Sequence, residues 1–161
     1  MDFNKLWANF MDTVQNHYMD FNGRIPRAQF WYYILVVVVI GVAAGVIGGI
    51  AGTTLLSAVV SLGLLLPNAG MAARRMQDTG RSGQLVWVWV IVGGLYGVMA
   101  LLLGLAGPFG ALAFLAFFFT IGWLINLAML IVSIAIIYFC AQPGQPDANA
   151  YGPVPPVWTP N

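Results

Sequence analysis

Long stretches without any charged residue constrain this chain more than any other feature of its sequence. No charged residue lies between Arg27 and Arg74, and none lies between Arg81 and Asp147. A helix needs about 20 apolar residues to cross the hydrocarbon core of a membrane, and each stretch is long enough for more than one crossing. With 60% hydrophobic and 7% charged residues, the chain has too little charge to cover a soluble domain. The sequence therefore predicts an all-α integral membrane protein.

Turn-forming residues divide the two stretches into four predicted membrane-spanning helices within a transmembrane domain at 30–140. Gly52-Thr53-Thr54 separates the first two spans and Gly107-Pro108 the last two, while the charged segment RRMQDTGRSG at 74–83 is predicted to be a loop between the middle two. The predicted spans are 30–52, 53–73, 84–106 and 109–140. Because the last one is longer than the hydrocarbon core, it must tilt, protrude or begin later.

The N-terminal segment 1–29 is predicted to begin with a helix that lies along the membrane surface. Apolar side chains recur there at every third or fourth position: Phe3, Leu6, Trp7, Phe10, Met11, Val14 and Tyr18. Since this helix is amphipathic and its net hydrophobicity is low, it belongs in the interface rather than across the membrane. We expect Trp7 and Phe10 at headgroup depth and Asn9 in water.

Small and polar residues inside the spans predict how the helices pack. Gly41, Gly45 and Gly49 lie four residues apart, as do Gly48 and Gly52, a spacing that lets another helix approach closely. We favour packing within the chain over a homodimer seam for these glycines. Asn126, near the middle of the last span, is predicted to hydrogen-bond to a neighbouring helix rather than to mark a substrate path.

The basic residues predict the orientation of the chain in the membrane. With four spans, all six basic residues fall on one side: Lys5, Arg24, Arg27, Arg74, Arg75 and Arg81. The opposite loops, near 52–54 and 107–110, contain none. Because loops rich in Lys and Arg stay in the cytoplasm, we expect both termini, the 74–83 loop and the Pro-rich tail at 141–161 on the cytoplasmic side.

Two interpretations of the 74–83 loop remain open. In the one we favour, Arg74 and Arg75 extend to the membrane surface, where anionic headgroups attract them, and the loop sets the topology and anchors lipid. In the other, the arginines form an anion or partner site, with Arg24, Arg27, Arg74, Arg75 and Arg81 as its members. If the preceding helix continues through the loop, Asp78 is three residues from Arg75 and four from Arg74, so it can pair with either.

The three polar segments on this side are expected to pack against one another. They are the stretch around Arg24 and Arg27, the 74–83 loop and the tail. We predict that Asp78 holds one or more arginines and that the turn at Asn149–Tyr151 covers the loop. These residues are the candidate anion, lipid or partner face of the protein.

Each of the three segments contains a recognisable motif. Before the first span, F-x-G-R-x-x-R-x-x-F-W is formed by Phe21, Gly23, Arg24, Arg27, Phe30 and Trp31. In the loop, R-R-x-x-D-x-G-R-S-G is formed by Arg74, Arg75, Asp78, Gly80, Arg81, Ser82 and Gly83. In the tail, P-G-x-x-x-x-N-x-Y-G is formed by Pro143, Gly144, Asn149, Tyr151 and Gly152. In this order and with this membrane layout, the chain resembles the bacterial inner-membrane family called domain of unknown function 805.

The resemblance implies a location in the bacterial inner membrane and a fold, but it implies no activity. Three positions depart from the family pattern. Gln77 stands where the family has His, Gln84 where it has Trp, and Asp147 where it has Gly. A proton-relay role for that His would therefore not carry over to this chain.

Among functions, an enzyme has the least support. The chain has no glutamate, and its single His17 and single Cys140 lie apart, so no cluster of metal ligands or catalytic groups is expected. We expect no cofactor. We favour a non-catalytic scaffold, accessory or regulatory membrane protein; the alternatives are an oligomeric small-solute transporter or channel, or a protein that binds anionic lipid. The expected partners are the lipid bilayer with its anionic headgroups, other membrane proteins or a second copy, and no nucleic acid.

Overall fold

Four helices in the computed structural model, which describes residues 3–157, are long and apolar enough to cross a membrane. The elements are α1 (Phe3–Asn16), α2 (Arg27–Ile50), α3 (Leu55–Asp78), α4 (Gln84–Leu105), α5 (Gly107–Phe117), a π-helical turn (Phe118–Gly122) and α6 (Trp123–Ala141). The predicted all-α fold with four spans is thereby confirmed. The first two residues of the N-terminal segment and the last four of the predicted tail lie outside the described residues.

Helix α3 is the central element of the bundle, since it contacts α1, α2, α4 and α6. A tight turn joins it to α2. Gly52 adopts a φ of 66°, and the Thr53 amide donates to the Gly48 carbonyl at 2.9 Å. Gly48 also leaves no room for a side chain, because an added Cβ would lie 2.7 Å from the Thr53 carbonyl oxygen. The first two spans therefore form a closely packed hairpin, as the short Gly-Thr-Thr connection predicts.

The core is concentrated at the C-terminal end of α3. Every residue from Ala69 to Thr79 is buried, and Tyr33, Val86 and Cys140 are buried in contact with this segment or its neighbours. Toward the N-terminal end of α3, Ala58 is the last buried residue before Pro67. The four spans thus pack most completely at one end of the bundle.

Helix α1 packs against the bundle rather than presenting its apolar stripe to lipid alone. Leu6 and Phe10 are buried, and the Phe10 ring stacks on Tyr33 of α2 with 5.8 Å between centroids. Asn9 is only 2% exposed, and its Nδ2 donates to the Gln29 carbonyl at 3.0 Å. The expectation of Asn9 in water is therefore wrong, because this helix face binds protein, whereas headgroup depth for Trp7 and Phe10 stays a prediction.

The first half of the predicted loop at 74–83 is helical, which corrects its boundary. Helix α3 continues through Asp78, and only Thr79–Gly83 connect it to α4. The helix ends in a Schellman arrangement: the Arg81 amide donates to Met76 O at 3.1 Å and the Gly80 amide to Gln77 O at 3.0 Å. Gly80 has the required φ of 80°. Gly80 therefore marks the end of α3, whereas Arg74 and Arg75 lie within the helix.

The last span runs from Gly107 to Ala141 and includes the π-helical turn. It begins before the predicted start at Phe109. Asn126 donates to Tyr96 Oη of α4 at 3.2 Å, which confirms its predicted bond to a neighbouring helix.

Of the α2 glycines, Gly48 packs within the chain as expected, but the others do not. A Cβ at Gly41, Gly45 or Gly49 would meet nothing within 4 Å, so the favoured packing of these glycines within the chain is wrong. They lie on a side of α2 that no other helix of the described chain covers closely.

Candidate functional site

Asp78, the last residue of α3, holds two arginines from different segments. Its Oδ1 accepts a hydrogen bond from Arg24 Nε at 2.9 Å, and its Oδ2 accepts one from Arg75 Nη1. The side chains of Arg24, Arg75 and Asp78 are 1%, 0% and 4% exposed. The prediction that Asp78 holds one or more arginines is confirmed, and we call these three residues with tail residues 142–152 the clasp.

The remaining donors of Arg24 bind the backbone of the tail. Its Nη1 donates to Asp147 O at 2.8 Å and to Gly152 O at 3.3 Å, while its Nη2 donates to Gln145 O at 2.7 Å. All three guanidinium nitrogens are thus engaged. A buried charge is tolerated when it is paired and its remaining hydrogen-bonding capacity is used, and Arg24 meets both conditions.

Arg75 joins the end of α6 to the same carboxylate. Its Nε donates to Cys140 O at 2.9 Å and its Nη2 to Gln142 O. These acceptors are the carbonyls at the C-terminal end of α6, which have no partner within their own helix. One arginine therefore neutralises Asp78 and satisfies a helix end.

The tail in turn satisfies the C-terminal end of α3. The Gln145 amide donates to Asp78 O and Asn149 Nδ2 donates to Gln77 O, each at 2.9 Å. Gly144 packs directly on the Asp78 carboxylate, where a Cβ would collide with its oxygens. Asp78 is consequently enclosed by the segment before α2, by α3 and by the tail.

A compact turn shapes the tail around these contacts. Asn149 and Gly152 exchange two backbone hydrogen bonds of 3.1 Å, and the Tyr151 amide donates to Asn149 Oδ1 at 2.9 Å. Tyr151, which is half-buried, therefore closes the turn through its backbone amide. Among the described residues it forms no hydrogen bond with the arginines. This turn lies over the end of α3, as predicted for Asn149–Tyr151.

Arg74 does not belong to the clasp. It is 8% exposed, its Nη2 contacts Met71 Sδ at 3.3 Å, and its Nε has no hydrogen-bond partner among the described residues. Asp12 and Asp20 are the carboxylates within electrostatic reach of it. Of the two alternatives for Asp78, Arg75 is therefore its partner, and the expected extension of Arg74 and Arg75 to lipid headgroups is wrong.

Arg27 and Arg81 remain on the surface. Both are exposed, and neither forms an ion pair within residues 3–157. The Arg81 guanidinium lies 4.5 Å from the Phe139 ring centroid, a cation–π distance, and its Nη1 donates to Thr79 Oγ1 at 3.3 Å. The structure thus separates the five candidate arginines into three groups. Arg24 and Arg75 belong to the clasp, Arg74 is buried outside it, and Arg27 and Arg81 are exposed.

Within the clasp, the arginines neutralise the charge of Asp78 and bind backbone carbonyls. The three clasped side chains do not form a pair placed for general acid–base catalysis. Gln77, at the position of the family's His, donates from Nε2 to Phe21 O at 2.9 Å, which ties the segment before α2 to α3. The sequence offered no sign of the tail carbonyls that the arginines bind, because backbone acceptors carry no side-chain signature. Pro143-Gly144 signals only a turn in the sequence, and the close approach of Gly144 to Asp78 is seen only in the structure.

Comparison with known proteins places these residues in a family. The profile of the family described as "Protein of unknown function (DUF805)" matches residues 18–153. The chain is 30% identical over 142 residues to inner membrane protein YhaI of Escherichia coli (strain K12), covering 87% of this chain and 89% of that protein. It is 29% identical over 148 residues to inner membrane protein YhaH of the same strain, covering 88% and 92%. No solved structure matches the chain significantly.

Proposed function

This chain belongs to the DUF805 family, and from that premise we propose that it is a non-catalytic scaffold, accessory or regulatory protein of the bacterial inner membrane. Its working surface in this proposal is the outer side of the clasp, which presents the tail turn and the exposed loop residues 80–82 to partner proteins. The single observation that supports it is the closure of the clasp.

Closure of the clasp favours recognition over chemistry. Arg24 and Arg75 use their guanidinium donors on Asp78 and on five backbone carbonyls of the same chain. An active site keeps polar groups free to meet a reacting molecule, whereas the three buried charged side chains of the clasp, Arg24, Arg75 and Asp78, are bound to one another. What remains free is a folded outer surface, and such a surface is suited to binding.

We place this surface in the cytoplasm. All six basic residues lie before α2 or at its first residue, or else in the last part of α3 and after it, and the loops at the other end of the spans contain none. Under the positive-inside rule this puts both termini and the clasp on the cytoplasmic side. Reporter fusions at Gly52 and Pro108 should report the periplasm, and a fusion after residue 157 should report the cytoplasm.

Site-specific photo-crosslinking in living cells tests the proposal. A photoreactive residue at Ser82 or Ala148, both exposed beside the clasp, should give a discrete protein adduct. The same probe at Val42, 62% exposed on α2, is the control and should give none. The Asp78→Asn variant, inserted at normal levels, should lose the adduct because the surface loosens. Lipid adducts alone at all three positions would contradict a scaffold.

The exposed arginines favour a second candidate, binding of anionic lipid. Arg27 and Arg81 have no carboxylate partner in the described part of the chain, and basic residues near a membrane surface attract anionic headgroups. Adding phosphatidylglycerol to the detergent-solubilised protein should then raise its melting temperature more than phosphatidylcholine does. The Arg27→Gln/Arg81→Gln variant should lose this difference, whereas Lys5→Gln, also exposed, should keep it.

A further inference from the structure

Two polar side chains lie on the outer face of the last span, near its middle. Trp123 is 49% exposed and Asn126 is also exposed. Trp123 is sixteen residues after Gly107, and Asn126 is fifteen before Ala141, the two ends of the span. Tryptophan ordinarily lies at the membrane interface and asparagine is rare within hydrocarbon. Their position therefore calls for a binding partner within the membrane.

Asn126 has its donors occupied and its acceptor free. Its Nδ2 donates to Gly122 O at 2.7 Å and to Tyr96 Oη at 3.2 Å. Within residues 3–157 nothing donates to its Oδ1. These internal bonds fix the amide so that only a donor from outside the chain can complete it.

Trp123 offers the matching donor. Its indole N–H has no hydrogen-bond partner in the described chain, and the lipid tails beside it contain no acceptor. The two residues are three apart on one helix, so they share a face and differ in depth by about 4.5 Å, the rise of three residues. One face thus carries one unused donor and one unused acceptor at nearly the same depth.

We propose that this face is a parallel homodimer seam, in which Trp123 Nε1–H of each copy donates to Asn126 Oδ1 of the other. A two-fold axis brings a surface against itself, so a face with one donor and one acceptor is completed twice by a second copy. Both copies have the same orientation in the membrane, so Trp123 of one copy and Asn126 of the other differ in depth by only about 4.5 Å. This inference does not depend on the proposed function.

The rest of the face has the spacing of a helix–helix seam. Leu130, Ile134 and Ile137 continue it toward the clasp end, and they are 55%, 57% and 52% exposed. Steps of three and four residues along one face match the packing of two helices that cross at a shallow angle. A lipid tail would cover these apolar groups equally well, so the specificity comes from Trp123 and Asn126.

Cysteine crosslinking in native membranes locates the seam. In a Cys140→Ala background, Leu130→Cys should form a disulfide-linked dimer on mild oxidation. Val42→Cys, on the α2 face beside the open glycines, is the matched control and should stay monomeric. Crosslinking at Val42 but not at Leu130 would assign the dimer to the glycine face and overturn the proposal, and so would the absence of any dimer.

Trp123→Phe isolates the hydrogen bond. Phenylalanine keeps an aromatic ring at this position, and no hydrogen bond within the described chain is lost. The melting temperature of the protomer should therefore be unchanged. Two symmetric interhelical hydrogen bonds disappear, and dimerisation measured by energy transfer in lipid vesicles should weaken about tenfold. Trp87→Phe, at an indole that is 46% exposed near the clasp, should have no effect. Equal dimerisation of Trp123→Phe and wild type would overturn the proposed bond.

Discussion

The two ends of the four-helix bundle are built on opposite principles. At the clasp end, residues from Ala69 to Thr79 are buried and the charged side chains hold one another in place. At the other end, a cleft of about 940 Å³ opens between α2, α4 and α5. Its walls are mainly small residues, among them Gly45, Gly49, Gly52, Gly104 and Gly107.

The difference teaches where this fold obtains its specificity. Within a membrane, lipid tails are as apolar as the helices, so the hydrophobic effect does not drive the spans together. Hydrogen bonds, ion pairs and close packing must do so, and the chain concentrates the first two at the clasp end. The glycine-rich cleft is lined by no charged residue and mainly by small ones, and this end is correspondingly open. We therefore expect substitutions at the two ends to differ sharply in cost.

The largest expected effect comes from removing the charge of Asp78. Asp78→Asn leaves Arg24 and Arg75 buried without an anion, and breaking a buried ion pair in this way costs about 3–5 kcal/mol. The melting temperature in mild detergent should fall accordingly. Asp147→Asn is the matched control, because Arg24 binds the backbone carbonyl of Asp147 and not its side chain. Equal behaviour of the two variants would show that the clasp adds no stability.

Glycine-to-alanine substitutions compare the two ends directly. Gly144→Ala places a methyl group on the Asp78 carboxylate, and overpacking of this kind costs about 1–3 kcal/mol. Gly49→Ala places the same group in open space within a helix at the cleft end, where it should be neutral or slightly stabilising. Thermal unfolding of both variants measures the difference. A larger loss at Gly49 than at Gly144 would reverse the comparison.

A smaller effect is expected from loosening the tail alone. Asn149→Ala removes the bond to Gln77 O and the one that the Tyr151 amide donates, at about 1 kcal/mol for a typical hydrogen bond. Amide hydrogen exchange of Gln145 and Gly152 should accelerate, while the exchange of α4 stays as in wild type. Unchanged exchange at Gln145 would mean that the turn does not hold the tail.

The smallest expected effect is at Arg27, which is exposed at the start of α2. Arg27→Gln should change the free energy of unfolding by less than about 0.5 kcal/mol, as surface substitutions usually do. Arg24→Gln, three residues earlier, should be clearly destabilising because it removes a buried partner of Asp78. The pair distinguishes a clasp residue from a surface residue within one motif.

The spans could be predicted from sequence because their signal is compositional. Charge-free stretches and turn residues located all four, and the shared side of the basic residues predicted that three segments meet. The sequence-based end of α3 at residue 73 is too early, because arginines at the end of a span look like the start of a loop. The helix continues to Asp78 and is ended by Gly80. Burial of Asn9 and Arg74 was missed because periodicity does not say which face meets protein. The open α2 glycines were also missed, since their spacing permits an approach without supplying a partner.

A double-mutant cycle between Arg24 and Asp78 tests most directly whether the buried charged residues of the clasp stabilise the fold by binding one another. The free energy of unfolding is measured for Arg24→Gln, Asp78→Asn and the double variant, with Arg27 and Asp78 as the control cycle. Residues in one buried network couple by about 0.5–3 kcal/mol, and we expect the first cycle to give more than about 1 kcal/mol and the control close to zero. Equal coupling in the two cycles, or none in the first, would contradict the clasp.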